Sequence, residues 1–172
     1  LTASEMAFCR AEGALAGWSN MGGSAKNLYE EGVKLSFEQW GAGSATAYLA
    51  DNTSTEKNYV DPISEYGGDV SAVSNITIKW DNSATDEQKM ERLITQKWIA
   101  MFPNGQEGWS EIRRTGYPKV FPLAQSTDYS IQVANRIPFD IDEATNNKAN
   151  YIKAVQLLKG NDDYATKMWW QR

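Results

Sequence analysis

Apolar residues at helical spacing open the chain. After Thr2-Ala-Ser-Glu5, a capping box in which the hydroxyl serves an orphan amide and the carboxylate reaches back, Phe8, Ala11, Ala14 and Leu15 fall on one face. The pattern predicts a first helix running to about Gly17, then a loop from Trp18 to Gly23 with its paired glycines. Ser24 caps a second stretch in which Tyr29, Val33, Phe37 and Trp40 share a stripe, ending near Gly41. Two helices joined by a short Gly-containing turn predict an antiparallel helical hairpin, and the small Ala and Gly positions between them allow close packing. No second copy recurs at a period of about 34 residues, so the pattern does not predict a solenoid.

The character changes between Gly41 and Ser83. Gly, Ser, Asn, Asp and Thr dominate, with Pro62 and Gly67-Gly68 as breakers, and the stretch predicts a long loop-rich insertion. Within it, Ser74 to Trp80 alternates Ile76, Ile78 and Trp80 and predicts a short strand. Helical spacing then resumes. Thr85-Asp-Glu-Gln88 is a second capping box, and Met90, Leu93, Ile94, Lys97, Trp98, Met101 and Phe102 form the cleanest amphipathic pattern before Pro103-Asn104-Gly105 stops it. Gln106 to Arg114 predicts a short helix burying Trp109 and Ile112, closed by Thr115-Gly116. Val120 to Ile141, with Pro122 and Pro138, predicts irregular chain. A last helix is expected over 147–159 on Tyr151, Ala154, Val155 and Leu158, with Gly160 as its C-cap, and one more turn over Thr166 to Trp170. The fold class is mainly α with few or no short strands. Residues 1–172 are expected to form a single domain: a hairpin over 2–40, a loop-rich insertion over 41–83, and helices with irregular chain over 84–172.

Composition narrows the chemistry. At 172 residues and 41% hydrophobic, the chain can bury a core. No apolar run approaches the roughly 18 residues of a membrane helix, and no basic segment precedes an apolar one at the start. A beginning at Leu1 that runs straight into a helix cap is expected to mean that the natural N-terminus, with any export signal, lies upstream. A net charge of -5 opposes binding to a phosphate backbone, so nucleic acid is not an expected partner. Histidine is absent and Cys9 is the only cysteine, which removes the commonest general base, imidazole-dependent catalysis and ordinary zinc sites. Cys9 sits in an apolar helical stretch and reads as a small buried thiol. Against this stand seven Trp, eight Tyr and five Phe, the ring faces on which sugars and other CH-rich ligands stack.

Particular clusters have competing readings. Glu111 with Arg113 and Arg114 offers a carboxylate and two guanidiniums for fixed polar geometry; tying the irregular C-terminal segment to the helices is favoured over ligand contact. Asp140, Asp142 and Glu143 raise a carboxylate-dependent glycoside hydrolase as the enzymatic alternative, although clustered acids more often mark a solvated loop or a helix start. Asp140-Ile-Asp142 lacks the glycine and distal glutamate of a calcium loop, so no metal or other cofactor is expected. Trp169-Trp170 is expected to close a core. Trp40, Tyr48, Tyr59 and Tyr66, in or beside the Gly/Ser/Asn-rich loop, are the candidate ligand-binding aromatics, because helical periodicity does not account for them.

Ser4-Glu-Met-Ala-Phe-Cys-Arg-Ala-Glu12, Leu28-Tyr-Glu-Glu-Gly-Val-Lys34, Gln96-Lys-Trp-Ile-Ala100, Arg113-Arg-Thr-Gly-Tyr-Pro118, Arg136-Ile-Pro138 and Trp169-Trp170 resemble, in order and spacing, the C-terminal portion of the SusD/RagB family. The resemblance implies a tetratricopeptide-like helical fold, with the Thr2 to Trp40 hairpin as the last such unit. It also implies a surface-exposed lipoprotein of the outer membrane in Bacteroidetes-type bacteria, anchored through an upstream lipidated cysteine. Such a protein is a non-catalytic binder of glycans or other nutrients that delivers them to a SusC-like TonB-dependent transporter. A purely structural module contacting that transporter is a further alternative. The matching blocks read as structural, so no ligand contact follows from them.

Overall fold

The computed structural model describes residues 1–63, 68–121 and 133–171. Both caps of the hairpin form as their residues predict. Thr2 Oγ1 accepts from the Glu5 amide at 3.1 Å while a Glu5 carboxylate oxygen accepts from the Thr2 amide at 3.3 Å, starting helix α1 (Ala3–Leu15). Ser24 Oγ accepts from the Asn27 amide and starts α2 (Ala25–Trp40), which Gly41 closes in the left-handed region. The two helices pack tightly at Gly32. A Cβ there would stand 2.9 Å from the Phe8 ring, and the buried Ser4 hydroxyl donates to the Gly32 carbonyl at 2.7 Å.

A five-residue helix, α3 (Thr46–Ala50), interrupts the stretch expected to be loop. The second capping box, Thr85 with Gln88, then launches α4 (Asp86–Ala100). It packs on α1 and α2, so that Leu93 and Ile94 meet Phe8, Leu28 and Tyr29 in the core. Each such fully buried side chain contributes about 1.5–3 kcal/mol. Phe8, Tyr29 and Trp80 run through this core as an aromatic chain, with ring centroids 6.1 and 5.2 Å apart. Asn104 caps α5 (Gly105–Thr115), which Gly116 ends. Lys97, on the apolar stripe of α4, is buried against Glu111 of α5 at 2.7 Å, each side chain 4% exposed. Glu111 also accepts from Arg114, and Arg114 grips both oxygens of Glu12 at 2.5 and 2.8 Å, which ties α5 to α1.

The expected strand over 74–80 does not form; among the described residues the pairing is a single isolated antiparallel bridge, Tyr59 with Val70. Side chains satisfy the polar backbone there instead of a neighbouring strand. Tyr29 donates to the Ile78 carbonyl at 2.6 Å, Arg92 to that of Thr77 at 2.7 Å, and Glu56 accepts from the amides of Val73 and Ser74. The described part of 120–140 is irregular, while Ile141 begins a helix, and Pro122 lies outside the described residues.

At the C-terminal end, Asp140 caps a helix missed from the pattern, α6 (Ile141–Asn146), by accepting from the Asp142 amide at 2.9 Å. The acidic cluster is thus a helix start. It leads into α7 (Lys148–Leu158), whose C-cap is Lys159 in the left-handed region rather than Gly160. Gly160 serves close approach instead, since a Cβ would stand 2.9 Å from the Thr166 side chain. The expected core role of Trp169-Trp170 is also wrong: Trp169 is 92% exposed and Trp170 lies at the surface, stacked on Arg113. No described helix is long and apolar enough to cross a membrane.

Two substitutions test this packing. In Gly32→Ala, a helix-propensity gain of up to about 1 kcal/mol opposes overpacking of about 1–3 kcal/mol. Phe8 is fully buried and has nowhere to move, so denaturant unfolding should show net destabilisation; a stabilised variant would mean a looser hairpin. Glu111→Gln strands a buried ammonium and should cost about 3–5 kcal/mol, and Lys97→Met added to Glu111→Leu should recover part of that loss. A loss below about 1 kcal/mol for Glu111→Gln would show the pair to be surface-like.

Candidate functional site

A cleft of about 480 Å³ opens beside α4, within the 300–1,000 Å³ typical of ligand sites. Its apolar and polar surface comes mainly from Tyr48 of α3, Gln96, Trp98 and Ile99 of α4, Ile76, and Phe121. The three rings among them have backing contacts. The Tyr48 ring lies 5.2 Å from Phe37 and its hydroxyl donates to the Gln96 amide oxygen at 2.9 Å. Burial raises the Tyr48 phenol pKa and the Asp51 charge adds to that, so the group is a neutral hydroxyl at neutral pH. Trp98 packs its indole nitrogen against Gly108 of α5, where a Cβ would stand 2.9 Å away. Phe121 leans on Tyr59 with centroids 6.3 Å apart.

Glu91 of α4 binds both flanking segments. Its carboxylate accepts from Ser74 Oγ at 2.7 Å and pairs with Lys119 at 3.1 Å. These contacts fix segments 74–78 and 118–121 to one helix, so the walls are preorganised without a sheet. Among the described walls, Glu56 is the one carboxylate, and it is already engaged by two backbone amides. The arrangement offers ring faces, an amide and hydroxyls, the means for stacking and hydrogen bonding.

Of the aromatics expected to meet a ligand, Tyr48 lines the cleft and Tyr59 stands behind Phe121. Trp40 is not in its walls; half-exposed at 52%, it pairs with Phe102 at 6.1 Å. Tyr66 lies outside the described residues. The structure adds Trp98, Gln96 and Phe121, which the pattern had not singled out. Trp98 follows the helical stripe and so reads as core, yet it is 42% exposed, and Ile99 and Phe102 are exposed beside it. An apolar stripe wider than one face can bury was the available signal.

A second, shallower cleft of about 400 Å³ lies between α5 and the C-terminal segment, lined by Trp109, Arg113, Asn135, Arg136 and Trp170 among others. Here Arg113 is stacked between indoles, 3.9 Å from the Trp109 centroid and 4.6 Å from that of Trp170. Arg113 therefore does tie the C-terminal segment to a helix, while Arg114 ties α5 to α1.

The family model described as SusD and RagB outer membrane lipoprotein matches residues 1–171. A chitin-binding SusD homolog from Flavobacterium johnsoniae is 48% identical with a TM-score of 0.83, covering 97% of this chain and 35% of that one. A SusD-like protein from Bacteroides thetaiotaomicron is 47% identical with a TM-score of 0.84, covering 96% and 35%. For a SusD homolog from Bacteroides uniformis the values are 44%, 0.85, 99% and 36%. The chain thus spans little more than a third of the length of these relatives. No curated protein matches it.

Proposed function

The chain belongs to the SusD/RagB family of outer-membrane lipoproteins, and from that membership we propose that it is part of a surface-exposed protein that binds glycans or other nutrients without cleaving them and passes them to a SusC-like TonB-dependent transporter. The observation that carries the binding half of this reading is the aromatic cleft of Tyr48, Trp98 and Phe121 with the Gln96 amide among them. Sugar rings present CH-rich faces to such surfaces and hydroxyls to such amides. That a relative from Flavobacterium johnsoniae binds chitin makes chitin oligosaccharides the first probe.

The hydrolase alternative finds little support in this geometry. Glycoside hydrolysis needs two carboxyl groups roughly 5–10 Å apart with separated pKa values. The described walls of the cleft present one, and the Asp140 cluster is spent on a helix start. Tyr48 and Tyr59 are proposed as members of the site, Tyr59 acting through Phe121, and the exposed Trp40–Phe102 pair as an accessory platform.

Titration calorimetry with chitin oligosaccharides tests the assignment. Trp98→Ala and Tyr48→Ala should each weaken binding about 3- to 10-fold, from roughly 0.5–1.5 kcal/mol per ring contact, with a smaller loss for Trp40→Ala. If both cleft variants keep wild-type affinity while the protein still binds glycan, the cleft is not the site.

A further inference from the structure

The second cleft carries a group that its surroundings leave unexplained. Buried polar atoms in folded proteins are nearly always hydrogen-bonded, and each exception asks for a cause. Arg113 Nε is buried with no hydrogen-bond partner. The other arginines nearby are engaged: Arg114 holds Glu12 and Glu111, and Arg136 holds Asp162 at 2.6 Å while its guanidinium lies over Phe139. Arg113 takes part in no ion pair or hydrogen bond among the described residues. Its guanidinium carbon lies over the rings of Trp109 and Trp170, and arginine recognises a planar carboxylate through the in-plane N–H groups.

Hydrogen bonds position the frame around this cation. Trp109 Nε1 donates to the Ala134 carbonyl at 2.6 Å, the Asn135 amide donates to the Tyr164 carbonyl at 2.8 Å, and Asn135 also binds Ala165 and Gln171 through its side chain. Asp162 is spent on Arg136 and the Phe139 amide, so it does not neutralise Arg113. Trp169, next in the chain to the stacked Trp170, is 92% exposed and presents a large apolar face.

We propose that this second cleft recognises a carboxylate-bearing glycan: the Arg113 edge takes the acid group of a uronate while the indoles of Trp170 and Trp169 pack on the sugar rings. This deepens the glycan-binding reading and rests on it, but uses a different cleft and a different recognition chemistry. A neutral sugar offers Arg113 only uncharged hydroxyl acceptors, whereas a uronate gains a charge-assisted, bidentate pair in a partly desolvated setting.

Trigalacturonate, its fully methyl-esterified form and free acetate are titrated into the protein, with calorimetry and tryptophan fluorescence as readouts. The free acid should bind at least about 10-fold more tightly than the ester, with a change in indole emission, and Arg113→Gln should abolish the difference. Arg113→Lys, which keeps charge but loses the fork, should retain only part of it and serves as the test if Arg113→Gln does not fold. Equal affinity for acid and ester, a preference that survives Arg113→Gln or remains undiminished in Arg113→Lys, or acetate competing as well as trigalacturonate would each overturn the proposal. If chitin oligosaccharides bind and neither galacturonate form does, this site falls and the glycan-binding reading stands. If no glycan binds at all, both fall.

Discussion

The buried contact between Lys97 and Glu111 sets the geometry on which both clefts depend. Two charges with 4% exposed side chains cannot part without leaving one unpaired in a poorly solvated interior, so α4 and α5 are held in one register. Trp98 follows Lys97 directly and is thereby delivered against Gly108, facing the first cleft. Two residues beyond Glu111, Arg113 is delivered to the second. Arg114 carries the same network to Glu12 and so anchors the pair to the helical hairpin. Apolar burial makes the core stable; this polar chain decides which residues stand at its edges.

The C-terminal segment follows a different logic. Helices α6 and α7 contain no buried residue, and the segment is attached by polar contacts: Arg136 to Asp162, Trp109 to the Ala134 carbonyl, and Asn135 to Tyr164 and Ala165. A segment whose helices bury no residue opens at lower free energy than a packed core. Protonating Asp162 would loosen it further. Burial alone would raise that carboxyl, but its bonds to Arg136, the Phe139 amide and Tyr151 hold it below the ordinary carboxylate range. Its contribution is present above the unfolded value of 3.8 and is lost as pH falls through the lower folded one.

The helices were legible where local chemistry fixes them. Both capping boxes form on the residues that announce them, and the stops at Gly41 and Gly116 fall where left-handed glycines are needed. Helix α3 was hidden because it is five residues long and has no side-chain cap, and α6 because its capping Asp140 sits among acids that invite other readings. Ile76, Ile78 and Trp80 alternate as a strand would, yet a strand needs a partner, and Tyr29, Arg92 and Glu56 reach that backbone first. The site was less legible than the fold. Tyr48 was found through its loop-like context, whereas Gln96 and Trp98, although they stand in one of the family blocks, were concealed by lying on a helical stripe and read as structural. Beyond the over-wide stripe, whether an indole fills a core or faces a cleft is set by long-range contacts such as Gly108 against Trp98.

The central claim is passive capture by an aromatic cleft. It is tested most directly by holding the purified protein with end-labelled chitin oligosaccharide in equilibrium dialysis and resolving the sugar by length over many hours. Saturable retention with every recovered chain at its original length is the predicted result. Shortened products that accumulate in proportion to protein, or no retention across a panel of glycans, would contradict it.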